Sequence, residues 1–286
     1  AIVEAQKNDD INKIIDLSGY LVKSLYLVQD YTAVVEVVDN ILKYFEINKK
    51  TDNKNSNELY NTLIKTKKLE ALLNLGSWEE IASIVNSEIN PVTIFSKNSL
   101  VNQNEIFYSW ISSNIILAQS YCEQGSPLAF ELIEEINKVL SKEKGYKIDN
   151  LKVRLACVSA IANTSRGYFD ESDAILQEIL KDYSYVIDTP YFICKWNIVN
   201  IINKILKLDY ASIKEELFEA ASYADNCSDE VSKNLLKTLL AYVLLEEKNY
   251  LKALEIATSE MQYFSSKKIA FGALLSWYIS AAATLK

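Results

Sequence analysis

The chain has 286 residues, 49% of them hydrophobic and 24% charged, which is enough apolar material to bury a continuous core. Its 6 Gly and 3 Pro are too few for the tight turns a sheet protein of this length needs, so the chain is predicted to be all-α. The formal net charge of −8, without a dense Lys/Arg stripe, argues against a nucleic-acid partner. No run of about 18 uncharged apolar residues occurs, which argues against membrane insertion.

In chain order, Ile11, Ile14, Ile15, Leu17, Val22, Leu25 and Val28 recur at three-to-four spacing and predict a helix, capped by Asp9 or Asp10. Tyr31 opens its partner helix, with Val34, Val35, Val38, Ile41, Leu42 and Phe45 facing inward. The polar stretch 46–58 reads as a loop. A second pair is predicted over 57–75 and 77–88, with Gly76 where the chain turns through a left-handed backbone. Residues 86–104, with Pro91 and several Ser and Asn, form a second long loop. Further pairs are predicted near 105–124 and 127–141, 150–165 and 169–182, 190–207 and 210–225, and 229–247 and 249–264. A last helix over 267–285 has no partner after it. The total is about thirteen helices.

One phrase recurs six times: an apolar helix, a short polar turn, then an aromatic or Pro that opens a second apolar helix. The anchors are Tyr31, Trp78, Pro127, Phe169, Tyr210 and Tyr250, at spacings of 47, 49, 42, 41 and 40 residues. A period of this size means stacked helical hairpins, in which each repeat buries its apolar face against the next. The final segment, FGALLSWYISAAATL, is apolar on nearly every side rather than polar outside as a cap would be. The array is therefore expected to continue, with 1–286 a single repeat domain from a longer protein.

These units resemble tetratricopeptide repeats. Ala241 and Ala253 stand where that family places small residues so that the two helices of a repeat approach closely, and Ala118, Ala160 and Ser172 match in part. The turn aromatic is matched by Tyr31, Trp78, Phe169, Tyr210 and Tyr250. The chain departs from the family in its long period, against the usual roughly 34 residues. It also departs in Val22, Leu69 and Ile201 at small positions and in Pro127 at a turn. The resemblance implies a right-handed α-α superhelix of about six hairpins plus a terminal helix.

Catalytic chemistry is not indicated, and no cofactor or metal is expected. The chain has no His, the commonest proton shuttle and metal ligand, and carries no phosphate-binding or nucleophile-elbow motif. The pairs Glu79–Glu80, Glu134–Glu135, Glu215–Glu216 and Glu246–Glu247 are adjacent, so on a helix they point about 100° apart and cannot converge as acid and base. The cluster Lys65–Lys68 reads as a solvated helix face. Cys122, Cys157, Cys194 and Cys227 are isolated and read as reduced, buried and structural, although Cys157 lies three residues from Arg154.

The resemblance also implies that the first helix of each pair lines a concave binding face. Counting back from each anchor places Lys23, Tyr26, Glu70, Gln119, Arg154, Lys195, Ile198 and Tyr242 on it, with Ile161, Ile198 and Ile202 forming an apolar floor. The expected function is a non-enzymatic protein–protein interaction scaffold that takes a partner protein or peptide there, as a component of a larger assembly. The alternative is a ligand- or peptide-sensing arm of a multidomain bacterial regulator. A cytoplasmic address is favoured over an extracytoplasmic one, which would require a leader.

Overall fold

A computed structural model describes residues 2–7, 11–47, 54–88, 100–187, 190–208, 213–226 and 229–286. Among the described residues there are fifteen helices and no strand. They are α1 (Ile2–Lys7), α2 (Ile11–Leu27), α3 (Tyr31–Ile47), α4 (Lys54–Leu75), α5 (Trp78–Glu88), α6 (Leu100–Glu123) and α7 (Leu128–Leu140). There follow α8 (Tyr146–Ser165), α9 (Phe169–Asp182), α10 (Ser184–Ile187) and α11 (Pro190–Leu206). The last four are α12 (Ile213–Asn226), α13 (Glu230–Glu246), α14 (Tyr250–Ser266) and α15 (Ala270–Thr284). The all-α prediction is met. The two helices beyond the thirteen expected, α1 and α10, are only 6 and 4 residues long, too short to display a 3.6-residue apolar period. The helices beside the long polar stretches also reach further into them than expected, to Ile47, from Lys54 and from Leu100, while α5 ends at Glu88 as expected. The expected cap at Asp9 or Asp10, Pro91, Tyr210 and Cys227 lie outside the described residues.

The chain divides into two compact units, Ala1–Ser120 and Tyr121–Lys286. In the first unit α2 packs on α3, α3 on α4 and α4 on α5, and α2 also touches α4 directly. In the second unit α8 packs on α9, α11 on α12, α13 on α14 and α14 on α15. There too the first helices of successive hairpins touch, α8 with α11, α11 with α13 and α13 with α15. Such side-by-side contact surrounds the first helices. From Ile148 to Thr164 every residue of α8 is buried or half-buried, whereas the second helix α9 keeps a solvated face with Asp170, Glu171, Glu178 and Lys181. A helix apolar or small on all sides belongs in the interior, and an amphipathic one at the surface.

The hairpin turns repeat in backbone detail. Two residues before each anchor the backbone is left-handed, at Gln29, Gly76, Gly125, Gly167, Leu208 and Lys248, with φ between 61° and 81°. Around most of them two hydrogen bonds close the helix end. Gly76 N donates to Leu73 O at 3.1 Å and Ser77 N to Leu72 O at 2.9 Å. Lys248 N donates to Leu245 O at 3.0 Å and Asn249 N to Leu244 O at 2.9 Å. This pairing satisfies carbonyls that the helix end would otherwise leave open, and fixes the angle at which the second helix starts.

Buried polar side chains link the first helices. In the first unit the Thr66 hydroxyl on α4 meets those of Ser109 and Ser113 on α6, the latter at 3.2 Å, and Ser18 on α2 meets the Tyr60 hydroxyl at 2.6 Å. In the second unit Thr164 on α8 donates to Asn203 Oδ1 on α11 at 2.8 Å, and Thr238 on α13 meets Ser276 on α15 at 3.2 Å. Asn203 also donates to the Phe169 carbonyl at 3.3 Å and to Asp173. Each of these side chains has a partner on the neighbouring repeat, which sets the register between hairpins.

Candidate functional site

In the first unit α2 and α4 bring two of the expected residues together. Lys67 on α4 holds its ammonium 5.7 Å from the ring centre of Tyr26 and 2.8 Å from Glu70 Oε2. Tyr26 packs edge-to-face on the anchor Tyr31 at 5.3 Å. Lys23 is exposed, while Gln119 on α6 is half-buried. The reading of Lys65–Lys68 as a wholly solvated face is corrected here, since Thr66 and Lys68 are both buried. Lys68 lies between Asp39 at 2.7 Å and Glu80 at 2.8 Å. Burial pulls its ammonium down, but hydrogen bonds and charge from the two carboxylates outweigh this and hold it above the ordinary lysine value. It stands beside a cavity of ≈ 400 Å³ between α3, α4 and α5, where Asp39, Lys43, Glu46 and Lys65 bring charges of both signs.

In the second unit Arg154 on α8, Lys195 on α11 and Tyr242 on α13 lie on three successive first helices, all half-buried. The Lys195 ammonium is engaged with the start of α13, 3.1 Å from the Ser232 hydroxyl and 3.7 Å from Asp229 Oδ2. Asp229 caps α13, accepting from Ser232 N at 3.0 Å and from the Ser232 hydroxyl at 2.6 Å. Burial pushes the Asp229 carboxyl up, but the Lys195 charge and the Ser232 hydrogen bonds hold it below its usual value. Ile198 is buried in the core with Cys194, Ile201 and Leu239; Ile202 is half-buried against that same cluster, and Ile161 against a neighbouring one with Cys157 and Leu176. Tyr242 packs beside Ala241 and Leu275.

Cys157 is pushed up to about 12 by burial, against the opposing charge of Lys195. Cys122 reaches about 12 through burial and the nearby charge of Glu123. Both thiols are protonated at neutral pH and poor nucleophiles. Cys122, Cys157 and Cys194 are buried and in no disulfide. No group of His, Cys, Asp or Glu that could hold a metal occurs among the described residues, and no described helix is long and apolar enough to cross a membrane.

Two features escaped the sequence reading. Glu260 on α14 is buried, with Oε1 3.7 Å from Lys237 and Oε2 without a hydrogen-bond partner. Burial pushes its carboxyl up against the opposing charge of Lys237. Its place in the series Ala253, Ala257, Glu260, Phe264, the buried face of α14, is the signal that could have found it. The second feature is Tyr185 of α10, which donates to Asp149 Oδ2 at 2.5 Å while its ring lies 6.4 Å from that of Tyr146. No local pattern announces that pairing.

No protein-family model, curated protein or solved structure matches the chain.

Proposed function

We propose that the chain is a non-enzymatic scaffold for protein–protein contacts, built of tetratricopeptide-like repeats of unusual length, which takes a partner protein or peptide on its first helices. The observation that carries this reading is the direct packing of α8 on α11, α11 on α13 and α13 on α15 in the second unit. Side chains at corresponding places on these helices form one row, with helix axes spaced by about 8–10 Å. Arg154 and Lys195, each 15 residues before its anchor, stand side by side in such a row, and Tyr242, 8 residues before its anchor, lies with Ile161 and Ile202 in a second row about 10 Å further along the helices. A partner segment bearing a carboxylate would compete with Asp229 for Lys195, and its apolar side chains would rest on Ile161 and Ile202.

The test is affinity capture of a partner from an extract of the source cells, comparing the native chain with the double variant Arg154→Ala, Lys195→Gln. These neutral replacements avoid setting a new negative charge against Asp229. Capture should weaken about ten-fold and lose salt sensitivity while the helical signal is unchanged. Equal capture by both proteins removes this row as the binding surface.

A further inference from the structure

We propose that the uncovered face of α15 is a self-association surface, on which a second copy of the chain docks its own α15. Gly272, Ser276, Ile279 and Ala283 make the buried edge of this helix, against α13 and α14. The opposite side exposes Phe271 (48%), Leu274 (61%), Trp277 (62%), Tyr278 (54%) and Leu285 (86%). Leu274, Tyr278, Ala281 and Leu285 follow one another at steps of four, three and four residues, the seam by which two helices interlock.

Three properties select a second copy as the occupant. The first is charge: no Asp, Glu, Lys or Arg occurs from Ile269 to Leu285. Two such faces meet without repulsion and leave no ion stripped of water and unpaired, despite a chain net charge of −8. The second is shape. In an antiparallel pair Tyr278 faces Ala281 of the second copy and Leu274 faces its Leu285, so bulky meets small at the centre and the same patch serves both partners. The third is area. Large side chains of this kind present about 150–250 Å² each when fully exposed, so the five together leave roughly 600 Å² per copy. The pair then buries about 1,200 Å², the lower end of stable specific interfaces. This inference stands apart from the scaffold reading, since it uses none of the residues of the α8–α11–α13 row.

Sedimentation equilibrium of the full chain between about 1 and about 100 µM tests it. The expected result is a monomer–dimer equilibrium with a micromolar dissociation constant. Leu274→Glu and Tyr278→Glu, made separately, should each raise that constant about ten-fold or more, with the helical signal unchanged and Tm unchanged at concentrations where the chain is monomeric, because both side chains are exposed. Leu251→Glu, at a still more exposed leucine on α14, should leave the dimer as it was. A chain monomeric at about 100 µM overturns the proposal and leaves the face to a different protein or a further segment. A dimer that survives both α15 variants, or that Leu251→Glu weakens as much, also overturns it.

Discussion

Phe264 on α14 and Gly272 on α15 are fitted to each other: a Cβ on Gly272 would lie 2.5 Å from Phe264 Cδ1 and 2.6 Å from Cγ and Cε1. The Phe264 ring is fully buried and has nowhere to swing. Glycine is the residue here because the ring fills the space of a side chain, even though glycine inside a helix is unfavourable by about 1 kcal/mol relative to alanine. Gly272→Ala gains that propensity but overpacks the site, at about 1–3 kcal/mol. A net loss of up to about 2 kcal/mol is expected in denaturant titration. In a Phe264→Leu background the same change should become neutral or stabilising, a reversal that a double-mutant cycle reads directly.

The left-handed turn positions hold three glycines and three other residues, and Lys248 is one of the latter, at φ 64°. A side chain in that conformation costs about 1–2 kcal/mol, while glycine's extra freedom in the unfolded chain takes back about 0.4–1 kcal/mol. Lys248→Gly should therefore stabilise the protein by about 0.5–1 kcal/mol. Gly167→Ala, at φ 81°, should destabilise it by a similar amount. Thermal melts of the pair check both signs.

Asn203 is fully buried at the junction of α8, α9 and α11. Replacing it by Ala strips Thr164, the Phe169 carbonyl and Asp173 of a partner at once. The expected loss is about 2–3 kcal/mol, larger than the cavity of so small a truncation would give. Val at Thr164 should cost less, because it removes only the hydroxyl's contacts with Asn203 and Ser172 and keeps the shape. Denaturant midpoints at constant slope distinguish the two.

Glu260 makes stability depend on pH in the direction opposite to most carboxylates. Its folded pKa is raised above the ordinary value of 4.5. Below that value folded and unfolded chains are both protonated and the group contributes no difference. As pH rises above it, the unfolded chain gives up its proton first, so stability falls. Glu260→Gln should be nearly neutral at about pH 4 and stabilising by on the order of 1 kcal/mol at pH 7. Equal effects at the two pH values would show that the buried carboxyl titrates as it does in the unfolded chain.

The hairpin register was legible in the residues themselves. The anchors Trp78, Phe169 and Tyr250 open helices where the spacing places them, and Gly76 turns where a helix end was expected. These features are local: an apolar period, a turn residue and a first residue of a helix all act within a few positions of one another. Ala241 and Ala253, picked as small residues at close helix crossings, are both fully buried.

The fate of polar residues was decided only in three dimensions. Lys68 sits one position from the exposed Lys67 in the same basic cluster, yet it is buried between Asp39 and Glu80, contributed by two other helices. Lys195, which the sequence leaves free to meet a ligand, is held by Asp229 and Ser232 of α13. Ile198, expected on an accessible floor, fills the core. A helical period tells which residues share a face but not what packs on that face, and a charge is solvated or paired according to neighbours on other helices. The sequence by itself therefore determined how each hairpin is built, because apolar burial follows short-range periodicity. The tertiary structure decided which charges and hydroxyls are spent inside the protein, because each needs a partner that only the packing of another helix can supply.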